Sequence, residues 1–179
     1  MRPWNPLPFR SLPFLRTSWD DVAAPDAMIG LNRAGESRMS LAAILQQRGG
    51  ETVHVAPKTP VGQVIELLAD QKIGAVPVVE DGQVIGIMSE RDVIRAIRRD
   101  GAAILDWPVE RVMTRPPITV EASISALSGL SLMTRRRIRH LPVMEEGRMI
   151  GFLSIGDLVK ARMDLIESES EAMRAYIAS

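Results

Sequence analysis

The chain repeats itself. With Ile73 laid on Ile138, two stretches stay in register without a gap from Thr52/Pro117 to Ala96/Ala161, an offset of 65 residues. Identities fall at Val55/Val120, Leu67/Leu132, Pro77/Pro142, Val78/Val143, Glu80/Glu145, Gly82/Gly147, Ile85/Ile150, Gly86/Gly151, Ser89/Ser154, Asp92/Asp157 and Ala96/Ala161. A repeat of this kind specifies one supersecondary unit twice, and such a unit buries its apolar face only against a neighbour.

Both copies share one grammar. A β-branched run, TVHV from Thr52 and ITV from Ile118, predicts a short strand. Thr59 and Pro60 then suit the N-cap and first position of a helix whose apolar residues Val61, Val64, Ile65 and Leu68 fall on one face. Two apolar strands follow, AVPVV and VIGIM, joined through Asp81-Gly82, a strong two-residue hairpin signal; the second copy has LPVM and MIGFL around Glu146-Gly147. A last helix starts near Asp92 and near Asp157. Each unit therefore reads β-α-β-β-α.

Neither unit, at about 50 residues, hides enough apolar area alone. Val76, Val78 and Val79 are apolar on nearly consecutive positions, which implies a strand covered on both faces. We expect an α/β (α+β) fold of two units packed about a pseudo-twofold axis, with flanking helices. The predicted boundaries are a poorly ordered leader over 1–38, a first unit over 39–100, a linker over 101–112, a second unit over 113–163 and a C-terminal helix over 164–179. A short helix over Leu41–Gln47 is expected to feed the first unit.

The leader carries Pro3, Pro6, Pro8, Pro13 and Pro25 with four of the seven aromatic residues, and no sustained periodicity. Arg2, Arg10 and Arg16 precede its first acid, Asp20, as in an organellar transit peptide, but the prolines oppose the amphipathic helix that such peptides use. Met28 and Met39 offer alternative starts. We expect a cytoplasmic protein, with organellar import the alternative.

Composition narrows the chemistry. Lys plus Arg equals Asp plus Glu at 22 each, so no overall field favours nucleic acid, and no apolar run approaches the roughly 20 residues of a membrane span. There is no cysteine, and the two histidines, His54 and His140, form no zinc-ligand pattern. Walker, dinucleotide-fold and nucleophile-elbow motifs are absent as well. We expect neither catalysis nor a metal site.

The two copies of (I)xx(V/L)PV…(E/D)GxxIGxxSxxD resemble a tandem pair of cystathionine β-synthase (CBS) domains, the arrangement called a Bateman module, and the whole is similar to bacterial stand-alone two-domain proteins. The resemblance covers about residues 39 to 165. It implies an adenosine-bearing ligand such as AMP, ATP or NAD(H), with S-adenosylmethionine also to be tried, a homodimer that stacks into a flat disc, and a regulated partner the sequence does not name.

Ser-x-x-Asp carries two readings. In one, Ser89 and Ser154 are N-caps, with Asp92 and Asp157 closing capping boxes. In the other, the helix N-terminus receives a phosphate and the carboxylate accepts from a ribose diol, the roles that the resemblance implies for serine and aspartate. The family's base-binding positions carry over to Val53, Val55, Ala75 and Val76 in one copy and to Ile118, Val120, His140 and Leu141 in the other. Arg139 and His140, beside the basic run at Arg135 to Arg137, read either as a solvated basic helix end or, as the resemblance implies for the residues before Pro142, as phosphate ligands; Arg91 in the first copy is a third candidate, and its counterpart Gly156 is not basic. A constitutive dimeric scaffold with unused clefts is the alternative function.

Overall fold

The computed structural model describes residues 40–177, and the leader predicted over 1–38 lies outside them. In the first unit, helix α2 (Val61–Gln71) leads to strands β1 (Ala75–Glu80) and β2 (Gln83–Ser89) and helix α3 (Glu90–Asp100). In the second, β3 (Val120–Glu121), α4 (Ala126–Arg136), β4 (His140–Glu145), β5 (Arg148–Ser154) and α5 (Ile155–Ile177) follow in the same order. Helix α1 (Leu41–Arg48) precedes both, and 3-10 helices Gly101–Asp106 and Val109–Arg111 lie between them.

The hairpins follow the repeat. β1 pairs with β2 and β4 with β5, both antiparallel, each with a register shift one residue after the shared valine, Val78 and Val143. Asp81-Gly82 and Glu146-Gly147 all take positive φ, as a twist-compatible two-residue turn requires. The opening strand is shorter than predicted. It is a single parallel bridge, Val55 to Val78, in the first unit and two residues, parallel to β4, in the second. Thr59 does not cap α2: Pro60 holds the N-cap position, and the Thr59 carbonyl accepts instead from the Val109 N–H at 2.8 Å. The predicted last helix and C-terminal helix are one element, α5, because neither glycine nor proline interrupts Asp157 to Ile177.

The flanking segments pack in an order the repeat does not show. Leu41 and Ile44 of α1 lie in the core of the second unit with Met133, Leu141, Leu153 and Leu158. Ile104, Val109 and Met113, from the connection between units, lie in the core of the first with Val64, Val76 and Met88. Each unit is thus completed by the segment that precedes the other, and α1, expected to feed the first unit, feeds the second.

Matched hydrogen bonds fix this exchange. Leu41 N–H donates to Ile124 O and Ala42 N–H to Ala122 O, both at 3.0 Å; Val109 N–H donates to Thr59 O and Glu110 N–H to Pro57 O, at 2.8 and 3.1 Å. The acceptors are related by the repeat offset (Thr59 and Ile124), whereas the donors are three residues further apart (Leu41 and Val109). The repeated glycines acquire a reason here: a Cβ on Gly86 would overlap the Met113 side chain, and one on Gly151 would overlap Leu45. Glycine lets the exchanged segment lie directly on the strand.

Candidate functional site

Both Ser-x-x-Asp motifs form capping boxes. Ser89 Oγ accepts from Asp92 N–H while Asp92 Oδ2 accepts from the Ser89 N–H at 2.9 Å and from its hydroxyl. In the second unit Asp157 Oδ2 accepts from the Ser154 N–H and hydroxyl, each at 2.7 Å. Up to this point the two helix ends match.

The exchanged segments make them differ. Beside β2, the connection stays extended at Thr114, whose N–H and C=O pair with Ile87 at 2.9 and 3.0 Å. That pairing sets the Thr114 hydroxyl against Asp92 Oδ1 at 2.9 Å, so both oxygens of this buried carboxylate are bonded. Beside β5, α1 remains helical, and its backbone does not pair with the strand. Arg48 reaches over instead: its Nη1 donates to Phe152 O, the counterpart of Ile87 O, at 2.7 Å and approaches Asp157 Oδ2 at 3.5 Å. Asp157 Oδ1 has no partner among the described residues. The Asp157 side chain keeps 26% of its surface exposed and Asp92 9%, so only the former offers an accessible oxygen.

Basic groups gather at the same end. His140 opens β4 opposite Ser154 and stacks on Phe152, ring centroids 5.5 Å apart. Burial pushes its pKa below the ordinary range; Asp157 and Glu90 pull it up, and Arg139 pushes it down. From the first unit, Gly74 lies beside the His140 ring, with Glu90 at the same place. Arg91, also from the first unit, donates to Arg137 O at 3.3 Å, at the end of α4. Arg139 is exposed, and its carbonyl accepts from the Ile155 N–H at 2.8 Å.

The structure therefore brings Ser154, Asp157 and His140 together, with Arg139 alongside, and carries Arg91 across from the other unit. Ser89 and Asp92 sit at the equivalent end of the first unit. Of the base-binding candidates, Val55, Val76 and Leu141 are core side chains, Ala75 is also buried, and Val53, Ile118 and Val120 are half-buried against the cores. The buried four have only backbone to offer a ligand. Arg48 and Thr114 were missed. Neither belongs to the 65-residue register, and no local motif marks a residue that meets its carboxylate through exchanged packing. No group of three or more metal-ligating acids or histidines occurs among the described residues, and no described helix is long and apolar enough to cross a membrane.

Two α+β units, exchanged at their flanks and each ending a hairpin in a Ser-x-x-Asp helix start, define a tandem-domain module. The CBS domain model matches residues 51–99 and 109–164, and the chain belongs to the CBS domain family. It is 30% identical over 156 residues to the mitochondrial CBS domain-containing protein CBSX3 of Arabidopsis thaliana, covering 82% of this chain and 76% of that one. The crystal structure of ATU1752 from Agrobacterium tumefaciens, 39% identical, superposes with a TM-score of 0.66 over 69% of this chain and 98% of that one. PAE2072 from Pyrobaculum aerophilum, a CBS domain protein complexed with AMP, is 26% identical with a TM-score of 0.63 over 74% of this chain and 99% of that one.

Proposed function

We propose that this chain is a non-catalytic regulatory module that binds an adenosine-bearing ligand, AMP in the first instance, at the second unit and acts as a homodimer. The open Oδ1 of Asp157, at a helix N-terminus flanked by Arg48 and His140, carries the reading. The capping box orients the carboxylate through Oδ2, which leaves Oδ1 suited to a ribose hydroxyl, and the helix end beside the Arg48 guanidinium suits a phosphate. The AMP complex of the Pyrobaculum relative supports the ligand class. Exposed Ile94 and Ile97 on α3 and Val159 and Met163 on α5 support pairing of two copies through these helices.

Thermal melts with AMP, ATP, NADH and S-adenosylmethionine test the ligand. A compound at 100 times its Kd adds about 2.7 kcal/mol, or roughly 5 to 10 °C in Tm for a chain of this size. A flat response to all four rejects sensing and leaves the constitutive scaffold.

His140 gives a pH prediction. With its pKa depressed on folding, the native ring binds fewer protons than the unfolded one. Its contribution to stability is complete above the unfolded value of about 6.5 and is lost as pH falls through that value toward the depressed one. His140→Phe, which keeps a ring against Phe152, should lose less Tm than the native chain between pH 7.5 and 5.5. Equal losses would show that this ring does not set the acid limb.

A further inference from the structure

Helix α5 carries two apolar stripes. Leu158, Ala161 and Leu165 face the core of the second unit, and only the first half of the helix has such residues. Val159, Met163, Ile166, Ser170, Met173 and Ile177 form the other stripe, spaced alternately four and three apart, roughly 130° around the helix at 100° per residue. Its apolar members are exposed, Met163 at 55%, Met173 at 63% and Ile177 at 78%. Alternation of four and three is the seam of a two-stranded coiled coil, with one polar residue, Ser170, at an a position.

The flanks decide the partner and the direction. With Met163, Ser170 and Ile177 at a and Val159, Ile166 and Met173 at d, the g positions hold Arg162, Glu169 and Tyr176 and the e positions Lys160, Glu167 and Arg174, of which Lys160 and Tyr176 have no charged mate in a parallel pair. In a parallel pair of identical helices, g faces the e five residues on in the other strand. Arg162 then meets Glu167 of the second copy and Glu169 meets Arg174, so both contacts are opposite in charge and each occurs twice. A centred antiparallel pair sets Glu169 against Glu169 and Glu167 against Glu167 instead. We infer that α5 from Val159 onward pairs with the same helix of a second copy as a parallel, in-register coiled coil. About 19 residues are short for an isolated coil, but α5 is already nucleated on the second unit, which removes the main entropic barrier to a short helix.

The inference rests on the homodimer of the reading above and not on its ligand. Because the chain has no cysteine, single substitutions read the geometry cleanly. Ser170→Cys and Ile177→Cys, seven residues and about 10 Å apart along the helix, should each oxidise nearly completely to a disulfide dimer. Ser168→Cys, on the opposite face, should not. An antiparallel pair can bring only one of the two seam positions to its own mate, so cross-linking at one alone overturns the parallel coil. A dimer by light scattering in which neither position cross-links overturns the coil and leaves the homodimer standing, whereas a monomer overturns both. The thermal response to AMP, measured on the same variants, reports the ligand reading separately. Glu169→Arg should weaken the dimer and Glu169→Arg with Arg174→Glu should restore it; failure of the double variant to recover rejects the proposed pairing of charges.

Discussion

Leu41→Ala is expected to lower stability by about 3 kcal/mol, within the range for a fully buried leucine, and Tm by roughly 10 °C. Residue number would place the loss in the first unit, twenty positions from α2. The structure places it in the second. Leu41 meets Leu141 and Leu158 above Gly129, and no side chain of the first unit is part of that core. Hydrogen exchange is the decisive readout: amides of β4 and β5 should lose protection in the variant more than those of β1 and β2. Loss confined to β1 and β2 would sink the exchanged arrangement. Leu41→Ala with Leu141→Ala should fall short of additivity, since the two side chains border one space.

Asp92→Ala and Asp157→Ala should separate into a stability variant and a binding variant. Asp92 is buried, and its removal leaves the hydroxyls of Ser89 and Thr114 without their acceptor. Each such group is worth about 1 to 3 kcal/mol, so we expect a Tm fall of roughly 10 °C with the response to AMP retained. Asp157 is half-open with one free oxygen, and its loss weakens only the capping box and the Arg48 contact, about 1 kcal/mol. A lost bond from a ribose hydroxyl to a carboxylate is worth about 1.5 to 3 kcal/mol, which reads as a roughly 10- to 150-fold weaker Kd for AMP by titration calorimetry. If Asp92→Ala abolishes binding and Asp157→Ala leaves it intact, the ligand belongs to the first unit and the open oxygen of Asp157 does not receive it.

Much of this was legible in the residues. The hairpins follow from Asp81-Gly82 and Glu146-Gly147, and both capping boxes follow from Ser-x-x-Asp, because turn and cap chemistry is complete within three or four residues. The amphipathic face of α2 was legible for the same reason. The N-cap expected at Thr59 falls one position later, at Pro60: the Thr59 carbonyl is used by Val109, fifty residues on, and a local rule for N-caps cannot see that demand. The seam of α5 was only partly visible. Met163, Ile166 and Met173 can be read from the spacing as an apolar face that extends a dimer interface, but that Leu158, Ala161 and Leu165 pack a second face on the second unit is decided by the fold.

The sequence by itself determined the unit, its duplication and the chemistry of each helix start, since these rest on short-range periodicity that two copies state twice. Tertiary structure decided which flank completes which core, and with it which carboxylate stays open. Those contacts join residues from 22 positions apart, Thr114 to Asp92, to 109, Arg48 to Asp157, and their donors Leu41 and Val109 are spaced three residues wider than the repeat. The difference between Thr114 against Asp92 and Arg48 against Asp157 then comes from one segment staying extended along its strand while the other coils into a helix.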